Sequence, residues 1–202
     1  PRVDMAGELT GITGMEFPLL NYLIYLVSLI FGYDHWYGRL INLIVSSAGI
    51  WCFYDVLKHY FNKKVAFTAA VVLLFSLFYY HSRKIMPDTF SVSLIFAGIW
   101  FWKKYVLSSN FWKYLIGSLF IVLGVLSKLP SVMILAFLWP LMLEANWTRR
   151  ILMGGAVGLT GIVAALWYFY WVPHLEIEFG FEHFFMGKTM AWTFQFLLSN
   201  WQ

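Results

Sequence analysis

Arg39, Arg83, Lys84 and Lys128 each stand beside a long apolar stretch, and Glu16 and Asp88 each precede one. An ionisable group at membrane depth costs about 2.5–3.5 kcal/mol, so such groups face a cavity or a partner. Cations stabilise negative charge where it develops, and the planar fork of arginine matches two phosphate oxygens. A carboxylate can accept a hydroxyl proton, for which Asp4, Glu8, Glu16 and Asp88 are available. Together these residue types suit transfer chemistry around a phosphate-bearing group. Plainer readings stand beside this one. Arg39 and Lys128 could snorkel to the interface, Arg83 and Lys84 could form a solvated turn, and Asp88 or Thr89 could cap a helix. A cap can also be a ligand.

His174, Glu176, Glu182 and His183 offer a weak acceptor or metal site, with a divalent cation as the candidate ion. No His-Glu-x-x-His, Cys-x-x-Cys or calcium-loop pattern supports it, and solvated loop residues are the simpler reading. Gly154 and Gly158 form a Gly-x-x-x-Gly, which lets membrane helices approach closely. No strand precedes these glycines and no Lys-Ser/Thr follows them, so they are not a phosphate loop. Tryptophans such as Trp100, Trp112, Trp139 and Trp171 fall near the ends of apolar stretches, as in an interfacial belt. Cys52 is the one cysteine, so no disulfide framework exists.

The elements that carry these residues follow from composition. Of 202 residues, 61% are hydrophobic and 12% charged, and mean hydropathy is +0.70. Ordinary globular domains carry about 25% charged residues, so a soluble fold and a disordered chain are both excluded. The expected fold is all-α, a polytopic transmembrane helix bundle. Six apolar segments approach the length of about 20 residues that spans a bilayer: residues 36–57, 65–82, 89–102, 111–126, 131–143 and 151–172. The third and fifth are short and recruit flanking residues. Alternate gaps hold Lys58, Lys63 and Lys64, then Lys103, Lys104 and Lys113, then Arg149 and Arg150. The positive-inside rule puts these eight in the cytoplasm. Residues 1–35 and the loops at 82–88, 127–130 and 173–188 then lie on the extracytoplasmic side. Asn146-Trp147-Thr148 matches a glycosylation acceptor but falls inside, where it is not used.

Residues 18–31 are apolar but amount to roughly 21 Å of helix, too short for a 30 Å core. Pro18 suits a helix start and Gly32 a helix stop. Asn21, Tyr25 and Ser28 share one face at i, i+4 and i+7. The expectation is a juxtamembrane helix lying on the extracytoplasmic surface, with a tilted span as the alternative.

Three segments taken together carry a resemblance: Gly14 to Gly32 with Arg39, Arg83-Lys84-Ile85-Met86-Pro87-Asp88, and Leu126-Ser127-Lys128-Leu129-Pro130. In order and topology they resemble GT-C membrane glycosyltransferases of the family 39 type. That group is similar to protein O-mannosyltransferases and the lipid A aminoarabinose transferase. The resemblance covers residues 1 to about 188. It implies transfer of a sugar from a polyprenyl-phosphate donor, by one inverting displacement, to an acceptor on the extracytoplasmic face of a bacterial inner membrane. With that reaction in view, the outward-side cations Arg39, Arg83, Lys84 and Lys128 are the candidates for the donor phosphate, and Glu16 and Asp88 are the candidates for catalytic roles. Glu16-Phe17-Pro18 matches the Glu-Lys-Pro of the aminoarabinose branch except at Phe17, which leaves Arg83, Lys84 or Lys128 to supply that charge. The resemblance also implies that the first transmembrane helix, with the main catalytic base after it, and the C-terminal part lie outside this chain. The whole chain is then one partial transmembrane domain: residues 1–35 as loop and juxtamembrane helix, 36–172 as spans, and 173–202 as a loop and the start of a further helix. Expected partners are membrane lipid and the lipid-linked sugar, not nucleic acid.

Two other functions compete with this one. A transporter or flippase would place its site at mid-membrane on broken, repeated helices; here no repeat is evident and the charges gather toward one face. A non-catalytic membrane subunit is the third reading.

Overall fold

The computed structural model describes residues 16–179 and residue 198. Among the described residues every regular element is helical and none is a strand, so the all-α expectation holds. The chain divides into two compact units: Phe17–Ala164, and Pro1–Glu16 with Ala165–Gln202.

In the larger unit, α1 (Leu19–Phe31) begins directly after Pro18 and stops at Gly32. Gly32 has φ +78°, in the left-handed region where a Cβ is penalised. Leu20 of α1 packs with Phe90 and Leu94 in one apolar cluster. Next come α2 (Tyr37–Tyr60), α3 (Lys63–Leu74) and α4 (Leu77–Tyr80), then a 3-10 turn (His81–Arg83). They are followed by α5 (Pro87–Ser108), α6 (Phe111–Ser127), a 3-10 segment (Leu129–Leu138), α7 (Trp139–Glu144) and α8 (Trp147–Ala165). In the smaller unit a π-helical segment (Leu166–Trp171) leads into α9 (Val172–Phe179).

Among the described residues three helices are long and apolar enough to cross a membrane: Tyr37–Tyr60, Pro87–Ser108 and Trp147–Leu175. The segment at 89–102 does recruit its flanks to become α5. The apolar run at 65–82 is divided instead. Ser76 Oγ bonds the Leu73 carbonyl at 2.6 Å and meets the Tyr79 amide at 3.3 Å, so a side chain competes with the helix ladder there. The run at 131–143 falls within a 3-10 segment followed by a short α-helix.

Local caps explain several boundaries. Asn62 accepts from the Val65 amide at 2.8 Å, Asn110 from Trp112 at 3.0 Å, and Asn146 from Arg149 at 3.0 Å. Each satisfies an amide that a helix start would leave unpaired. The asparagine of the glycosylation-like triplet is therefore a cap. Pro87 occupies the first turn of α5 and Asp88 faces its positive dipole end.

Helix α5 is the centre of this unit, with 14 of its 22 residues buried. It packs most closely on α6, and glycines permit this. A Cβ on Gly98 would come 2.6 Å from Ile121 and 2.8 Å from the Gly117 carbonyl, and one on Gly124 would come 2.6 Å from Ile95. The expected close approach at Gly154 and Gly158 is not found: among the described residues nothing lies within 4 Å of a Cβ at either. Small residues at the right spacing allow contact, but a facing helix must supply it.

The two ends of this bundle use charge differently. At the end where α2 and α5 finish, Lys103 is buried and pairs with Asp55, which also accepts from the Trp100 indole at 2.8 Å. There Arg149 bonds the Val106 carbonyl and Ser109, and Arg150 bonds the carbonyls of Ala145 and Leu143. These cations cover helix C-terminal carbonyls, which carry partial negative charge. The opposite end holds Arg39, Arg83, Lys84, Asp88 and Lys128.

The contrast between glycines can be tested by thermal unfolding in detergent. Gly117→Val drives a side chain into Trp102 and the Gly98 carbonyl and is expected to cost about 1–3 kcal/mol. Gly154→Ala meets open space and leaves the unfolding midpoint unchanged or raises it.

Candidate functional site

The turn between α4 and α5 is the centre of the site. Its backbone is held by one amide side chain from the first buried turns of α2. Asn42 is fully buried, and its Nδ2 donates to the Lys84 carbonyl at 2.8 Å and the Met86 carbonyl at 3.1 Å. Its Oδ1 accepts from Thr89 and Ser46, each at 3.4 Å. The amide therefore spends both ends, as a polar group in an apolar surrounding must. A second tie comes from Tyr79, whose hydroxyl lies 3.3 Å from Ser93 Oγ. The turn also closes locally, with the Lys84 amide donating to the His81 carbonyl at 2.9 Å.

With its backbone fixed, the turn projects its cations. Arg39, Tyr80, Arg83, Lys84 and Ile85 line a cavity of about 520 Å³. The Arg83 guanidinium lies over the Tyr80 ring, 4.6 Å from its centroid, a cation–π contact that orients the fork. Arg39, Arg83 and Lys84 are exposed, and among the described residues none of the three has an ion pair with a carboxylate. Three positive charges around one cavity, with no carboxylate partner among the described residues, make the local potential positive and favour a negatively charged group there.

Asp88 and Lys128 form a second group. Lys128 Nζ lies 3.8 Å from Asp88 Oδ1, and both side chains are partly buried. They line a cavity of about 420 Å³ whose remaining walls are mainly apolar, including Phe53, Val92, Phe96, Ile134 and Phe137. Lys128 is placed by the end of α6, where its amide reaches back to the Gly124 carbonyl at 3.2 Å and the Phe17 amide donates to Leu126 at 3.2 Å. Residues 83–88 thus contribute to a cationic cavity at one end of the turn and to an amphipathic one at the other.

The remaining sequence candidates fall elsewhere. Glu16 is half-buried and belongs to the smaller unit. In that unit His174 pairs with Glu178 at 3.6 Å, one helical turn on, with both side chains well exposed. Glu182 and His183 lie outside the described residues. Among the described residues no group of three or more His, Cys, Asp or Glu is arranged to hold a metal ion. Sequence reasoning passed over Asn42 and Tyr80. Asn42 carried a usable signal, since an amide inside an apolar helix must find partners.

Residues 16–174 match the family described as dolichyl-phosphate-mannose-protein mannosyltransferase. No curated protein and no solved structure matches the chain. The family match covers most of the chain, including every residue of both cavities, and the chain belongs to that glycosyltransferase family.

The Asn42 clamp makes a direct prediction. Asn42→Leu leaves the Lys84 and Met86 carbonyls without their donor and is expected to lower stability by about 1–3 kcal/mol. Hydrogen exchange at the amides of residues 81–89 should accelerate more than exchange in α6.

Proposed function

We propose that this chain supplies the donor-binding face of a glycosyltransferase that takes its sugar from a polyprenyl-phosphate carrier on the extracytoplasmic side of the membrane. The observation that carries this reading is the cavity of Arg39, Arg83 and Lys84, three cations on a turn pinned from behind. Family membership supports a lipid-linked sugar donor. In the reaction, the bond between the anomeric carbon and the phosphate oxygen breaks as the acceptor oxygen attacks from the opposite face. The acceptor hydroxyl loses its proton, and polyprenyl phosphate leaves as an anion. Negative charge on the phosphate grows along this path, so the cations bind the transition state more tightly than the ground state.

In this reading Arg83 is the principal phosphate ligand, oriented by Tyr80, while Arg39 and Lys84 complete the cage. The mainly apolar cavity beside Asp88 and Lys128 suits the first part of the prenyl chain, with Lys128 close to the phosphate end and Asp88 positioning it. The acceptor proton passes to a carboxylate base, for which this chain offers two candidates: Asp88 in the larger unit and Glu16 in the smaller one. The acceptor itself is a hydroxyl-bearing molecule. Orientation follows from the basic residues: the end with Lys58, Lys63, Lys103 and Arg149 is cytoplasmic, which leaves the two cavities outside.

Transfer assays on the protein in its native full length test the site. Arg83→Ala should lower kcat/KM about 100-fold, the scale of losing one anion-stabilising donor, with the unfolding midpoint unchanged. Arg83→Lys should recover part of that loss, because charge returns without the bidentate fork. Wild-type rates in Arg83→Ala would overturn the assignment. Orientation is tested separately. A cysteine at Lys84 should react with an impermeant reagent from the extracytoplasmic side and one at Lys64 should not; the reverse pattern would invert the topology.

A further inference from the structure

The cytoplasmic-type end of the larger unit carries a groove that the transfer reaction does not use. It lies between α2 and α3, holds about 530 Å³, and is lined by Ser47, Trp51, Tyr54, Phe67, Val71 and Leu74, with Lys63 at one end. The α2 residues recur at i, i+4 and i+7 from Ser47, and the α3 residues at i, i+4, i+8 and i+11 from Lys63. Each set is therefore one helix face, and the groove runs along the helices for about 16 Å. Its charge lies entirely at one end. Lys63 lines it, and Lys58, one turn beyond Tyr54, extends its ammonium over the Tyr54 ring at 6.0 Å. No carboxylate lines the groove. The nearest in sequence, Asp55, is engaged by Lys103 and Trp100.

The cations at this end of the bundle fall into two classes. Lys103, Lys113, Arg149 and Arg150 are hydrogen-bonded to protein groups, and Lys104 lies over Trp100. Lys63 and Lys64 are exposed and, among the described residues, have no protein partner; Lys58 has only an aromatic face. An apolar channel of this length that opens at one end onto unengaged ammonium groups matches one kind of molecule: a long apolar chain with an anionic head. We infer that the α2–α3 groove binds an anionic glycerophospholipid of the leaflet at this end of the bundle, with an acyl chain along Trp51, Phe67 and Val71 and the phosphate at Lys58 and Lys63. This site is separate from the donor cavity, at the opposite end of α2.

The test uses the full-length protein purified in detergent, with native mass spectrometry after addition of phosphatidylglycerol or phosphatidylcholine. The expected result is one retained phosphatidylglycerol and little retained phosphatidylcholine. A juxtamembrane lysine contributes about fivefold to binding at an anionic surface, so Lys58→Ala combined with Lys63→Ala should weaken phosphatidylglycerol retention about 25-fold. Ser47→Trp, which fills the groove and keeps both charges, should also release the lipid. Unfolding midpoints in lipid-free detergent serve as the folding control, because all three positions are exposed. Equal retention of the two lipids, or full retention by the double alanine variant, would overturn the site. Loss in the alanine variant with full retention in Ser47→Trp would overturn the groove, since the lysines would then attract headgroups without seating a chain. Transfer activity enters none of these readouts, so the outcome stands apart from the donor-site reading.

Discussion

One amide ties together the end of the larger unit that carries both cavities. Asn42 donates from α2 to two carbonyls of the turn before α5, and accepts from Thr89 inside α5. A turn placed between apolar helices has backbone groups that water cannot reach reliably, and each must find a partner. Asn42 answers that requirement for the segment that turns Arg83 and Lys84 outward. Without it the turn could satisfy its own carbonyls only by rearranging, and Arg83, Lys84 and Asp88 would move with it. The arrangement separates two tasks: the backbone of residues 84–86 is bound from behind, and their side chains remain available in front.

Charge follows the same economy across the bundle. Where α2 and α5 end, basic side chains are mostly consumed by structure, closing carbonyls or balancing Asp55. At the other end Arg39, Arg83 and Lys84 have no carboxylate partner among the described residues and surround a cavity. Two clusters of similar composition thus have opposite meanings, decided by what lies within hydrogen-bond distance. A count of lysines and arginines per loop reports membrane topology; only their partners report chemistry.

Much of this was legible in the sequence because membrane helices are written as long apolar runs. Tyr37–Tyr60 and Pro87–Ser108 follow from composition, and the ends of α1 follow from Pro18 and Gly32. The break in the run at 65–82 was legible only in part, since it depends on Ser76 turning its hydroxyl back onto the chain rather than outward. The close-packing glycines were hard to read for a different reason. Gly154 and Gly158 have the right spacing, yet Gly98, Gly117 and Gly124 make the close contact, because contact depends on which helix comes to face which. The cations of the site were chosen by type and neighbourhood, but Asn42 was missed because its partners lie 42 to 47 residues away. Local pattern exposes what a residue needs; it does not show which distant group provides it.

Helix α5 carries a further implication, for how the protein is made. It is buried over most of its length and includes Thr89, Ser91, Ser93 and Lys103 among its buried residues, which makes it the least apolar of the three long helices. A segment of that kind partitions weakly into lipid alone, because its buried hydroxyls need partners and the buried Lys103, near its C-terminal end, is unfavourable until it is neutralised. Its partner Asp55 is on α2, synthesised earlier, and its closest packing surface is on α6, synthesised immediately afterwards. Stable insertion of α5 is therefore expected to depend on α2, which carries Asp55, and on α6, which packs along it.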